Sequence, residues 1–495
     1  MKRAMTLLLV VVLVLGIFAG CGGKEKTEKK FDYLAVGVGR VDITPENWAG
    51  AHINGGGDPN RLAEGILDRL VITCIAVTDE KNNTVLFFHQ DIHNPVAAAF
   101  TDNARRSIEK ATGVPFDNIY MAATHTHSSL MPTDDVTDGN IEFTKLYNAG
   151  VVKAAKAAMK DRVAATMYAG TMDAKEQNNG QAMAFVRHYL HKDGSVAGSN
   201  FGTYRNAMMC GFPYEADNEA QLIKFERKGK DPVLMMNWPA HSTYHGTTSK
   251  KNISADYPYY LREKIEQESD MTVAIFLAGA GDQVPHAELY PVANHGLDCA
   301  QYGDALGQLV LDFVNTSGNM QKVADGVIKQ ESYVLEAESN FIPAEQAELA
   351  AKASDVYEYF LANGQEDGNT YAIANGFQSC YEARSFVSRA KLSGTQTLNM
   401  YVMTLGNMSF AIAPYEMAGQ TATTIKHAIL ESGVSDMAFI MAYCQNNIGY
   451  IPSASNYEYN NGRGSYEAYD CKYAKGTAEK IAETYIQLIT DLAAK

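Results

Sequence analysis

Apolar positions along the chain follow two patterns that alternate from one end to the other. Short unbroken apolar runs predict buried strands, and longer stretches with apolar residues three or four apart predict helices. Residues 33–41 predict a strand that enters a turn at Asp42-Ile43-Thr44-Pro45. Residues 69–78 and 84–90 predict a hairpin closed by Asp79-Glu80-Lys81-Asn82-Asn83. Residues 97–112 have helical spacing, closed by Gly113 with Pro115 beyond as a stop. A strand at 119–123, a long Ala-rich helix at 141–160 and a strand at 164–170 follow. Residues 222–226 and 233–237 flank the turn RKGKD, 255–266 predict a helix, 273–278 a buried strand and 302–314 a helix. Residues 344–363 and 371–391 predict a helical hairpin. A second β-hairpin, 400–405 with 409–413, turns at Gly406-Asn407, and a helix at 415–430, a strand at 437–442 and an amphipathic helix at 474–493 close the chain. No internal repeat or low-complexity linker interrupts the alternation. The expectation is an α/β or α+β fold: one large, multi-layered domain over residues 31–495, with mixed sheets flanked by helices and the active site at strand-end loops. The pattern leaves the order of the layers open.

The N-terminus departs from this pattern. Lys2 and Arg3 precede an apolar run over 7–18, and Ala19-Gly20-Cys21 follows. The run is shorter than the roughly 20 residues that span a bilayer, so it reads as a processing signal. Small residues just before a cysteine predict a bacterial lipoprotein signal over residues 1–20, with lipid on Cys21. Residues 21–30 are then a lipidated flexible tether, and the location is the cell surface or periplasm, on a bacterial membrane. Of the rest of the composition, two features matter. A formal charge of −15 argues against nucleic-acid partners. The cysteines at 74, 210, 299, 380, 444 and 471 form no CxxC, so disulfides and buried thiols stay equally open.

Candidate chemistry gathers where predicted strands end. The stretch NIYMAATHTHSS, 118–129, runs apolar into His125 and His127. Side chains two apart on an extended segment share a face, and neutral imidazole is the commonest ligand of a catalytic metal. A hydrogen-bonded histidine pair fits the same spacing. Asn237-Trp238-Pro239-Ala240-His241-Ser242 repeats the logic, with His245 beyond. In Ala278-Gly279-Ala280-Gly281-Asp282-Gln283-Val284-Pro285-His286 the glycines permit a close backbone approach, and Asp282 and His286 are candidate substrate-binding groups. Glu416, in Ala413-Pro414-Tyr415-Glu416, reads either as a complement to a helix dipole or as the oxygen donor of a His/His/Glu site. Tyr450 in NIGYIP opens a Tyr-rich loop that reaches Tyr466-Glu467; by itself Tyr450 reads as a packing or ligand-contacting ring.

The ordered set VGVGRVDITP, THTHS, NWPAHST, ISADYP, AGAGD, APYE and NIGYIP resembles the catalytic domain of the neutral/alkaline, non-lysosomal ceramidase family, whose longer members append an immunoglobulin-like domain. That resemblance covers most of the chain and implies a mononuclear zinc amidase. It assigns Zn2+ to His125, His241, Glu416 and Tyr450. His127 becomes the acid/base or carbonyl-orienting group, Arg187 holds the reacting group and Tyr466 polarises the amide carbonyl. One departure stands out. Val284 occupies the place of a family serine, so no acyl-serine route runs through this position, whereas a zinc-activated water needs no serine. His286 replaces an asparagine and is a candidate proton carrier or ligand. The implied function is hydrolysis of an N-acyl amide, ceramide or a related N-acyl lipid. The alternatives are short N-acyl amino acids or N-acetyl sugars, or a non-catalytic zinc- or ligand-binding lipoprotein. An HxH amidohydrolase barrel is disfavoured, because its later Lys, His, His and Asp do not appear in order.

Overall fold

Residues 71–78, VITCIAVT, are buried along their whole length, and that explains the architecture. A strand with apolar side chains on both faces must lie between two layers. Here Ile72, Cys74 and Ala76 join one core, while Ile75 and Val77 join another. The computed structural model describes residues 30–495 apart from 56–60, 95–97, 131, 133–136, 198–207, 246–250, 287–294, 325, 342, 393 and 446–447.

The large sheet contains β1 (Ala35–Asp42), β2 (Val71–Thr78), β3 (Thr84–Gln90), β4 (Ile119–Ala123), β5 (Val163–Asp173), β6 (Glu219–Arg227), β7 (Val233–Trp238) and β8 (Thr272–Leu277). Their spatial order is β8-β7-β6-β5-β1-β2-β3-β4, with the short strand Gln321–Lys322 added beside β5. The pairs β3–β4 and β7–β8 are parallel and the others antiparallel. Four helices cover its outer face: α1 (Ala98–Thr112), α2 (Asp138–Asp161), α3 (Tyr257–Glu268) and α4 (Cys299–Asn315). In the VGVGR motif, Gly37 and Gly39 admit α2. A Cβ at Gly37 would lie 2.1 Å from the Ala158 carbonyl oxygen, and one at Gly39 would lie 2.4 Å from that of Ala154.

A second sheet, β9 (Lys329–Glu338), β10 (Thr395–Leu405), β11 (Met408–Ile412) and β12 (Met437–Met441), packs on the inner face of the first. Phe87 of β3 marks the seam, with ring centroids 5.6 Å from Phe410, 5.7 Å from Tyr120 and 6.5 Å from Phe276. Truncating such a residue to alanine costs about 3–5 kcal/mol. Between β9 and β10 three helices, α5 (Pro343–Asn363), α6 (Gln365–Ala374) and α7 (Cys380–Arg389), close around their own apolar cluster of Val356, Phe360, Tyr381 and Phe386. The outer face of the second sheet is covered by α8 (Gly419–Glu431) and α9 (Thr477–Ala494). The layers therefore run helix, sheet, sheet, helix: a mixed α/β fold with mixed sheets flanked by helices.

Two details differ from the sequence reading. The predicted helical hairpin is three helices, because Gly364 adopts φ +85° and breaks the first from the second. The predicted helix at 415–430 starts only at Gly419, and Glu416-Met417 is a short strand paired in parallel with Tyr450-Ile451. Glu416 therefore complements no helix dipole. Its backbone is held out of the helix by the ladder to Tyr450.

Candidate metal centre

Strand-end loops converge at one pole of the two sheets and are bonded to one another through the backbone. Where β4 ends, Ala123 N–H donates to the Tyr443 carbonyl (3.0 Å) and Thr124 N–H to that of Gln90 (2.9 Å). The His127 N–H donates to the Ser242 carbonyl (3.0 Å), and Ser242 Oγ returns a bond to the Thr124 carbonyl (2.7 Å). The His241 N–H donates to Gln283 (2.9 Å) and Gly281 N–H to Met417 (2.8 Å). Gly281 is required here because a Cβ would meet the Met417 and Glu416 carbonyl oxygens at 2.8 and 2.9 Å. The glycines of AGAGD thus admit the turn that carries Glu416.

His125 departs from the extended geometry expected of an HxH strand end. It lies beyond β4 with φ +55°, and Tyr443 at the end of β12 has φ +54°. Such left-handed backbone costs a non-glycine residue on the order of 1–3 kcal/mol and persists where the surroundings impose it. The two rings of the HxH still converge, with Nε2 atoms 3.3 Å apart.

The donor atoms of His125, His241 and Glu416 lie within 4.8 Å of one another, and so do those of His93, His125 and His127. In the first group Glu416 Oε2 lies 3.3 Å from His125 Nε2 and 3.7 Å from His241 Nε2. Two donors on ~2.0 Å bonds at a tetrahedral metal are ~3.3 Å apart, so the spacing fits one ion. The other ring nitrogens are already engaged. His125 Nδ1 lies 2.8 Å from Asn94 Oδ1 and 3.1 Å from the His93 carbonyl, and His241 Nδ1 lies 2.7 Å from the Ala280 carbonyl. Those carbonyl acceptors fix Nδ1–H tautomers and leave Nε2 with its lone pair, the usual outer-shell arrangement of a ligating histidine. His241 Nε2 is sealed from solvent, with no hydrogen-bond partner among the described residues. Burial, reinforced by neighbouring imidazoles, lowers the pKa values of His93, His127 and His241 well below the usual range. They are neutral, the form that binds metal.

Tyr450 lies opposite Glu416 in the short parallel ladder, and its ring is 5.3 Å from that of Tyr466. The guanidinium of Arg187 lies over both rings, 5.4 and 5.7 Å from their centroids. Arg187 is fixed in turn by Glu467 Oε1 (2.7 Å) and the Gly281 carbonyl (2.7 Å), while His188 Nε2 meets the other Glu467 oxygen at 3.0 Å. Burial alone would raise the pKa of Glu467, but Arg187 and His188 hold its carboxyl far below the usual range. Burial pushes the phenols of Tyr450 and Tyr466 up, so both stay protonated.

Asp282 sits apart from the donor cluster. Its Oδ1 accepts from Gly419 N–H (2.8 Å) and its Oδ2 from the Tyr214 hydroxyl, so its carboxylate braces the start of α8. His286 stacks on Tyr244, with centroids 4.3 Å apart, and is in neither donor group. Val284 packs on Phe185 and Phe212. Four neighbours of the cluster were not singled out from sequence: His93, stacked on His125 at 4.2 Å; Tyr443, 4.3 Å from the same ring; Arg61, which donates to the His127 carbonyl at 2.6 Å; and Glu467. Only His93 carried a legible signal, since it follows the apolar run of β3 as His125 follows that of β4.

A cage of imidazoles and one carboxylate at strand ends of a mixed α/β fold defines a candidate metal centre. The fold itself is that of the neutral ceramidases. The neutral ceramidase from Pseudomonas aeruginosa superposes with a TM-score of 0.66 at 13% identity, over 93% of this chain and 75% of that one. A ceramidase complexed with C2 gives 0.65 at 15% identity, with the same coverage of 93% and 75%. No protein-family model matches the sequence, and a search of curated proteins finds no match.

Proposed function

We propose that this protein is a zinc-dependent hydrolase of N-acyl amides. The observation that carries the reading is the convergence of His125 Nε2, His241 Nε2 and Glu416 Oε2 at 3.3 and 3.7 Å, with both Nδ1 atoms turned towards carbonyl oxygens. His125, His241 and Glu416 would hold the zinc, with Tyr450 beside Glu416 as the fourth group. Zinc so held supplies Lewis acidity and an activated water at neutral pH. His127 is half-buried, with Nε2 3.3 Å from His125 Nε2, and carries the proton from the attacking water to the leaving amine. Tyr466, kept protonated and backed by Arg187, donates to the developing oxyanion. Val284 leaves no role for an acyl-enzyme through its position. The ceramidase neighbours make an N-acyl lipid such as ceramide one candidate substrate. A short N-acyl amide places the same bond before the same groups.

The test is elemental analysis of purified protein with a panel of N-acyl amides. One zinc per chain and amide cleavage are expected, both abolished in H125A, whereas H127A keeps the zinc and loses rate. A well-folded wild type without bound zinc, or with zinc and no activity on any amide, refutes the reading.

A further inference from the structure

The entry point of the folded chain and the candidate centre lie at opposite ends of the large sheet. Phe31 exchanges two hydrogen bonds with Asn82, N–H to Oδ1 at 2.7 Å and Nδ2 to carbonyl at 3.0 Å, in the turn that precedes β3. Its ring lies 5.2 Å from the Arg162 guanidinium, which bonds Thr78 and Thr84 at the same end of the sheet. The metal donors sit beyond the other ends, past β4, β7 and β11. At ~3.3 Å per residue β3 alone separates the two ends by about 20 Å, and the strand-end loops add to that. At that far end His93, His127 and Tyr466 are only half-buried.

Tether length then decides what the centre can reach. Residues 22–30, GGKEKTEKK, span at most ~31 Å fully extended. A folded body of about 465 residues has a radius near ~29 Å, so a quarter turn over its surface takes ~45 Å and a half turn ~90 Å. An anchor on Cys21 therefore holds the Phe31 pole against the bilayer and the centre away from it.

We infer that the centre works on a water-soluble N-acyl amide that arrives from the aqueous side, and not on a lipid seated in the membrane that anchors the chain. This rests on the hydrolase reading and on lipidation of Cys21. The experiment uses the full-length lipidated protein in liposomes. First, orientation is read without activity, by collisional quenching from headgroup-labelled lipids. Cys210 is exposed, and its Sγ lies 3.6 Å from the carbonyl of Leu190, two residues beyond His188 at the centre's end. A dye on D32C in a C210S background is expected to be quenched and one on Cys210 of the unchanged chain is not; equal quenching overturns the inference. Second, hydrolysis of a soluble short-chain N-acyl amide is compared with that of long-chain ceramide in the same vesicles. The soluble amide should be cleaved. Inserting about 30 Gly/Ser residues after Lys29 should speed ceramide cleavage about tenfold or more, because the lengthened tether spans the path. Cleavage of embedded ceramide by the wild type, unchanged by the insertion, overturns the inference while leaving the hydrolase reading intact. Failure of every form on both amides refutes the hydrolase reading and this inference with it, whatever the quenching shows. Vesicle attachment that survives C21S overturns the anchor.

Discussion

Two histidine–carboxylate clusters lie at strand ends of the large sheet, and they differ in what completes them. In one, His89, Asp91 and Arg262 form a closed set with side chains almost wholly buried. Asp91 accepts from Val71 N–H (3.0 Å), meets Arg262 Nη1 at 3.1 Å and lies 3.1 Å from His89 Nε2. Burial alone would raise its pKa, but Arg262 and His89 pull the carboxyl down to about 2. In the other, Glu416 faces two imidazole nitrogens presented as lone pairs, and His241 Nε2 is buried with no hydrogen-bond partner among the described residues. The first cluster carries its own cation. The second gathers two imidazole nitrogens and a carboxylate oxygen within 4.8 Å, the donor set of a cation site. Clusters of similar composition thus differ in what meets the carboxylate: a guanidinium in one, imidazole lone pairs in the other.

That contrast can be broken by experiment. The largest effect is expected at the open cluster. E416A or H241A should release the metal and lower amide hydrolysis by about 10³-fold or more, since metal catalysis contributes several kcal/mol at ~1.4 kcal/mol per decade. Elemental analysis and rates on folded protein check this. At the closed cluster, R262M strands Asp91 without its cation and should cost about 3–5 kcal/mol in urea unfolding, with metal content per folded molecule unchanged. Metal loss in R262M at unaltered stability would erase the distinction between the clusters. E467Q should free Arg187 and His188, reduce rate about 10–100-fold and keep the metal, as for other outer-shell changes.

The last effect, smallest when counted per group, concerns pH in the metal-free protein. His93, His127 and His241 have lowered folded-state pKa values. The unfolded chain therefore binds more protons below ~6.5, and stability present above that pH is lost as pH falls, by up to ~1.4 kcal/mol per pH unit for each group. Urea titrations at several pH values between 7.5 and 5.5 should show the decline, and a flat profile would mean that these imidazoles are not neutral and buried.

Strands buried on both faces were legible in the sequence as unbroken apolar runs, and that same continuity concealed the layering. A run such as VITCIAVT has no polar face to say which side meets a helix and which a second sheet. Strand β9, KQESYVLEAE, was missed for the opposite reason. It is largely exposed at the sheet edge, and its charges mask the period of two. At the site, His125, His241 and Glu416 come together as the strand-end pattern suggested, although by a left-handed turn at His125 and a short strand at Glu416. His93 escaped notice because a single histidine before Asn94-Pro95 lacks the doubled signature of the HxH. Glu467 is visible only in space: it secures Arg187, 280 residues earlier, through a bond no local pattern encodes.

The two-residue ladder that joins Glu416 to Tyr450 bears on the order in which the protein becomes competent. The nitrogen donors are in place once residues 125 and 241 have folded onto the first sheet. The carboxylate donor, however, is held by a partner strand near the C-terminal end of the chain. Glu416 itself stands 291 residues after His125 and 175 after His241, so completing the donor set closes contacts of long sequence separation, which are slow to form. On the metal-bound reading proposed above, acquisition would be a property of the finished body: a nascent or clipped chain that ends before Tyr450 would offer imidazoles without their carboxylate clasp.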